Sequence, residues 1–109
     1  MASAAIASLE KLIGTPRDGA LLRYSLGMEY LKAGDAPAAA RELTEAVTRD
    51  PKFSAAWKLL GRALAEAGRD REALEAWRKG IEAARAKGDR QAEKEMAVFA
   101  RRLERKLAP

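Results

Sequence analysis

Residues 20–53, ALLRYSLGMEYLKAGDAPAAARELTEAVTRDPKF, and residues 54–87, SAAWKLLGRALAEAGRDREALEAWRKGIEAARAK, are one pattern written twice, end to end. Position n of the first copy meets position n + 34 of the second: Leu26 falls on Leu60, Gly27 on Gly61, Tyr30 on Leu64, Ala33 on Ala67 and Gly34 on Gly68. The agreement continues through Ala39 on Ala73, Leu43 on Trp77, Ala46 on Gly80 and Val47 on Ile81. A fixed period of this length marks stacked supersecondary units, each too small to bury its own apolar face without a neighbour.

Within each copy the apolar places recur at helical spacing. Leu22, Leu26, Tyr30 and Ala33 predict a helix that starts near Thr15, Pro16 and Asp18, where a hydroxyl cap, an N1 proline and a first-turn acid stand together, with Asp18 as the alternative cap. Gly34 closes it, and Asp35 caps a second helix over about 36–49, stopped by Asp50 and Pro51. The second copy predicts helices over 53–67, ended by Gly68, and from a cap at Asp70 to about Arg85.

Outward from the repeats, residues 2–13 read as an amphipathic helix with Ala5, Ile6, Leu9, Leu12 and Ile13 on one side, placing Ala5 over Ala39 and Ile13 over Val47. Gly88 and Asp89 stop and start the chain again, and residues 91–107 carry Ala92, Met96, Phe99, Ala100, Leu103 and Leu107 on one stripe. Short connections force neighbouring helices antiparallel. The expected fold is all-α: an antiparallel helical-hairpin solenoid of about six helices in a single domain, residues 1–109. It comprises an N-terminal half-repeat helix (1–15), two full repeats (20–53 and 54–87) and a C-terminal capping helix (88–109).

The residues that recur resemble those of the tetratricopeptide repeat: Trp57, Leu60, Gly61, Leu64, Ala73, Trp77 and Gly80 in the second copy, and Leu26, Gly27, Tyr30, Ala39, Leu43, Ala46 and Pro51 in the first. Small residues belong where paired helices cross, and large ones fill the space beside the crossing. Two positions depart: Arg23 replaces the aromatic that Trp57 supplies, and Arg85 replaces the proline that Pro51 supplies. The resemblance implies a right-handed superhelix whose leading helices line a concave face that holds a peptide or helix of a partner protein. The places left free by the core pattern form the candidate groove: Leu21, Tyr24, Ser25, Met28 and Lys32 from the first copy, with Lys58, Leu59 and Arg62 from the second. Lys58 and Arg62, one turn apart, suit a partner segment with an acidic group. Tyr24, Met28 and Leu59 stand where the chaperone-binding subgroup carries its clamp residues, which speaks against that partner.

Charge and composition narrow the alternatives. The 109 residues contain no cysteine and no histidine, which removes disulfides, thiolate or imidazole metal sites and the usual nucleophile–base pairs. Neither an enzyme nor a cofactor is expected. The net charge of +5 comes from residues 54–109, with 14 basic against 9 acidic side chains; residues 1–53 balance at 7 and 7. That half offers nucleic acid or another polyanion as the alternative partner, disfavoured because its cations alternate with acids and lack stacking aromatics. Pairs at i, i+4 such as Arg71 with Glu75, Glu75 with Lys79 and Arg78 with Glu82 would neutralise much of it. No apolar run approaches the roughly 18 residues of a membrane span, and no secretory leader is evident. A cytoplasmic protein without a membrane partner is therefore expected, as a monomer or a weak homo-oligomer.

Overall fold

The computed structural model describes residues 3–109 and contains α1 (Ala4–Glu10), α2 (Ala20–Lys32), α3 (Ala36–Arg49), α4 (Ser54–Glu66), α5 (Asp70–Ala86) and α6 (Arg90–Leu107), with no strand among the described residues. Gly34, Gly68 and Gly88 take φ of 79°, 79° and 74°. The following N–H then reaches back into the closing turn: Asp35 to the Tyr30 carbonyl at 2.9 Å, Arg69 to Leu64 at 2.8 Å, and Asp89 to Ala84 at 2.9 Å. A side chain at those glycines would strain the left-handed backbone that this closure requires. At the opposite ends, carboxylates of Asp35 and Asp89 accept from the N–H groups of Ala38 and Ala92 at 3.1 Å, satisfying donors a helix start leaves open.

Three predicted boundaries move. The helix expected from Thr15 begins at Ala20, with Gly19 as its cap. Thr15 spends its hydroxyl on the turn, donating to the Leu12 carbonyl at 2.6 Å, and Asp18 accepts from the Gly14 N–H at 2.9 Å. Asp70 is the first helical residue of α5 rather than its cap; its carboxylate pairs with Lys106 at 2.7 Å. The repeat had the correct answer, since Arg69 falls on Asp35. The N-terminal helix stops at Glu10, so Leu12 and Ile13 lie in the turn beyond it. Ile6 is its buried residue, while Ala5 and Ile13 are exposed; the proposed overlay of Ala5 on the buried Ala39 fails. Ala2 lies outside the described residues.

Each leading helix packs on its partner through a glycine. A Cβ on Gly27 would lie 2.8 Å from Leu43 Cδ2, one on Gly61 would lie 2.5 Å from Trp77 Cδ1, and one on Gly80 would lie 2.7 Å from Trp57 Cβ. Ala39 and Ala73 beside these crossings are wholly buried. The hairpins α2–α3 and α4–α5 stack through α3 against α4, and α6 packs on α5. Met96, fully buried, takes the space above Gly80, and Phe99 stacks on Trp77 with ring centroids 5.2 Å apart. One apolar interior therefore runs from Leu31 to Leu103. Beneath α1 lies a separate cluster of Ile6, Leu22 and Leu26, with Leu9, Leu12 and Tyr30 packed on it.

Both departures from the repeat have structural consequences. Without a proline at Arg85, α5 runs 17 residues against 14 for α3 and closes at Gly88. The leading helix after it consequently starts at Arg90, 36 positions beyond Ser54 rather than 34. Arg23, where Trp57 stands in the second copy, joins an ion network. Its guanidinium donates to both Asp18 oxygens at 2.9 and 3.1 Å and to Glu42 at 3.0 Å, and Glu42 takes the place of Ala76. Arg49 adds a bond to the Asp18 carbonyl at 3.0 Å. The Arg23 hydrogen bond foremost, then the Gly14 N–H, hold the Asp18 carboxyl well below the usual carboxylate range; Arg23 is raised in return.

The anticipated i, i+4 pairs of α5 do not form: Arg78 turns to Glu104 of α6 at 2.9 Å, and Lys79 lies over the Trp57 ring at 5.8 Å. Glu45–Arg49 and Arg62–Glu66 are the pairs of that spacing among the described residues, at 3.1 and 2.7 Å.

Candidate partner-binding face

The leading helices α2, α4 and α6 lie side by side, α4 touching both neighbours while α2 and α6 do not meet. The last helix thus extends the row and does not cover α2. Leu21 stands 70% exposed at the start of α2. Ser25 and Met28 are half-buried on the following turns, and Lys32 projects at the end, paired with Glu29 at 3.1 Å. Tyr24 is held rigid: its ring packs on Phe53, centroids 4.8 Å apart, in the turn that leads into α4. It packs on the main core and not on the cluster beneath α1.

On α4, Leu59 is half-buried and packs on the main core, so it offers only an edge. The two cations expected to await an acidic group are already engaged. Lys58 reaches across to Glu95 of α6 at 3.0 Å, and Arg62 pairs with Glu66 at 2.7 Å. Both pairs are more than a third exposed, a setting in which an ion pair contributes at most about 1 kcal/mol. An incoming carboxylate therefore competes with them on nearly equal terms.

Two residues of this face escaped the sequence reading, Glu95 and Val98. Val98 is 42% exposed on α6. A strict 34-residue step puts Gly61 on Glu95, which hides the relation. The step of 36 that the longer α5 imposes puts Leu59 on Glu95 and Arg62 on Val98. The charge pair Lys58–Glu95 was the available signal, since it requires α6 to lie next to α4.

Three of the acidic side chains on the first repeat are in ion pairs: Glu29 with Lys32, Glu42 with Arg23, and Glu45 with Arg49. Among the described residues no group of acidic side chains is placed to hold a metal, and no helix is long and apolar enough to cross a membrane.

Paired antiparallel helices, crossing at glycine and stacked in one direction, define a helical-hairpin repeat protein. The tetratricopeptide repeat profile matches residues 24–89. TPR repeat-containing protein PA0015 of Pseudomonas aeruginosa is 52% identical over 100 residues, covering 92% of this chain and 95% of that protein. The chain belongs to the tetratricopeptide repeat family. Among solved structures, protein BPP2914 of Bordetella parapertussis is similar at 39% identity and a TM-score of 0.79, covering 95% of this chain and 90% of that one. A tetratricopeptide repeat domain protein of Salinibacter ruber follows at 29% and 0.73, covering 82% and 89%. The fold is in general that of a protein–protein interaction module, and its members are in general non-catalytic scaffolds.

Proposed function

We propose that this chain is a non-catalytic adaptor that binds a peptide or helix of a partner protein on the face of α2, α4 and α6. The observation that carries this reading is the row of side chains there with no structural employment: Leu21 at 70% exposure, Met28 half-exposed and Val98 at 42%, set beside the exchangeable pairs Lys58–Glu95 and Arg62–Glu66. A methionine beside a rigid tyrosine suits adaptable apolar contact. The partner segment is thus amphipathic, with an apolar anchor for Leu21, Tyr24 and Met28 and an acid that takes over Lys58 or Arg62. Helices α1 and α6 serve as the end covers of the stack, leaving Ser25 and Lys32 on the open side.

The test is a titration of a partner co-purified from the native cell and identified by mass spectrometry. Leu21→Asp and Arg62→Glu each change an exposed side chain, so the variants stay folded by circular dichroism. Affinity reduced at least tenfold in both supports the face; undiminished binding by both removes it from the account.

A further inference from the structure

A recess lies between α4 and α5, on residues the leading-helix face does not use. It is a cavity of about 180 Å³ lined by Trp57, Leu64, Glu72, Glu75, Ala76 and Lys79. The Trp57 ring is fixed in plane because its Nε1–H donates to the Pro51 carbonyl at 2.8 Å. Lys79 Nζ sits over that ring at 5.8 Å, so the chain already places one of its own cations on the aromatic face. Of the two carboxylates in the wall, Glu72 is held by Arg69 through contacts of 2.9 and 2.6 Å. Glu75 is exposed and enters no ion pair among the described residues.

We propose that this recess is a binding site for an arginine side chain of a partner, stacked on Trp57 and paired with Glu75, with Lys79 as the internal cation it displaces. A planar guanidinium suits both halves of such a site, lying flat on an indole and donating in a fork to a carboxylate. Lys79 is exposed on a flexible stem and enters no ion pair among the described residues, so it yields the ring readily. The first copy closes the equivalent place with its own residues: Arg23 replaces the ring and Glu42 replaces Ala76, joined at 3.0 Å. The recess is therefore a property of the second copy and not of the repeat as such. It stands apart from the adaptor reading above, because none of its lining belongs to that face.

N-acetyl-arginine amide is the probe and N-acetyl-leucine amide the uncharged control, followed by the indole N–H resonances in nitrogen-edited NMR. Trp77, buried with its Nε1–H on the Lys58 carbonyl at 3.0 Å, is the internal reference. The arginine probe shifts the Trp57 indole saturably and leaves Trp77 unmoved, while the leucine probe does neither. Lys79→Ala removes the competing cation and tightens binding about two- to five-fold, the range expected for one exposed cation–π contact. Glu75→Gln weakens it. The proposal is overturned if Lys79→Ala binds the arginine probe no better than the parent chain, if Glu75→Gln binds it equally well, or if neither the parent nor Lys79→Ala gives a saturable shift.

Discussion

Gly61→Ala is the substitution for which local propensity and tertiary packing give opposite answers. In an exposed helix the exchange of glycine for alanine stabilises by about 1 kcal/mol. Here the new methyl would lie 2.5 Å from Trp77 Cδ1, well inside contact distance. The indole has little room to retreat, being hydrogen-bonded through Nε1 to the Lys58 carbonyl at 3.0 Å and backed by Phe99 at 5.2 Å. Overpacking of a closed core costs about 1–3 kcal/mol. With a rigid neighbour the upper part of that range applies, so the net loss is about 2 kcal/mol. For a domain of this size that corresponds to a fall in Tm of roughly 10 °C. Urea titration followed by far-UV circular dichroism reads it as a lowered midpoint at unchanged slope. A Gly61→Ala variant as stable as the parent, or more so, would refute the close crossing of α4 and α5.

Arg23→Ala leaves the buried Glu42 with only the 3.4 Å contact to Arg41 and lowers stability by about 1–3 kcal/mol. The double change Arg23→Trp with Glu42→Ala installs the second copy's solution and recovers part of that loss in the same denaturation assay. Asp18 gives the chain an acid-sensitive joint. Its folded-state carboxyl is depressed below its unfolded value, so its contribution is full above the unfolded value near pH 4 and is lost as pH falls through the folded one. Between neutral pH and about pH 3 the parent should lose more stability than Asp18→Asn, read as the change in urea midpoint. Ile6→Ala empties a fully buried site in the satellite cluster beneath α1. It costs about 2 kcal/mol, the low end for such truncations, and hydrogen exchange speeds first in α1 and α2 while α4 to α6 keep their protection.

What the sequence made legible was whatever the period repeats. Gly27 and Gly61 at the crossings and Gly34 and Gly68 at the helix ends could be placed because each is one half of a recurring local requirement, and the cap at Asp35 because its carboxylate directly follows the closing glycine. The misplacements occurred where a single-copy residue had a second use. Asp18 and Thr15 look like the start of α2, yet both are taken by a turn and an ion network whose other members, Arg23 and Glu42, are distant in sequence from one another. Asp70 looks like a cap and is drawn to Lys106, in the part of α6 that runs beyond the length of α4. Glu95 and Val98 were missed because the lengthened α5 shifts the later register by two. Lys58 and Arg62 each have an intramolecular carboxylate: Glu66, one turn along the same helix, is a partner that i, i+4 spacing encodes, whereas Glu95 on α6 comes into reach only through the shifted register.

The claim on which the functional reading rests is that the face of α2, α4 and α6 receives the partner. A photo-crosslinking side chain introduced at Leu21 or Val98, compared with one at Thr48 on α3, tests it directly in the complex with the co-purified partner. Thr48 is exposed but belongs to a second helix of the pair. Covalent partner peptides should be recovered from positions 21 and 98 and not from 48. Recovery from position 48 alone would contradict the account.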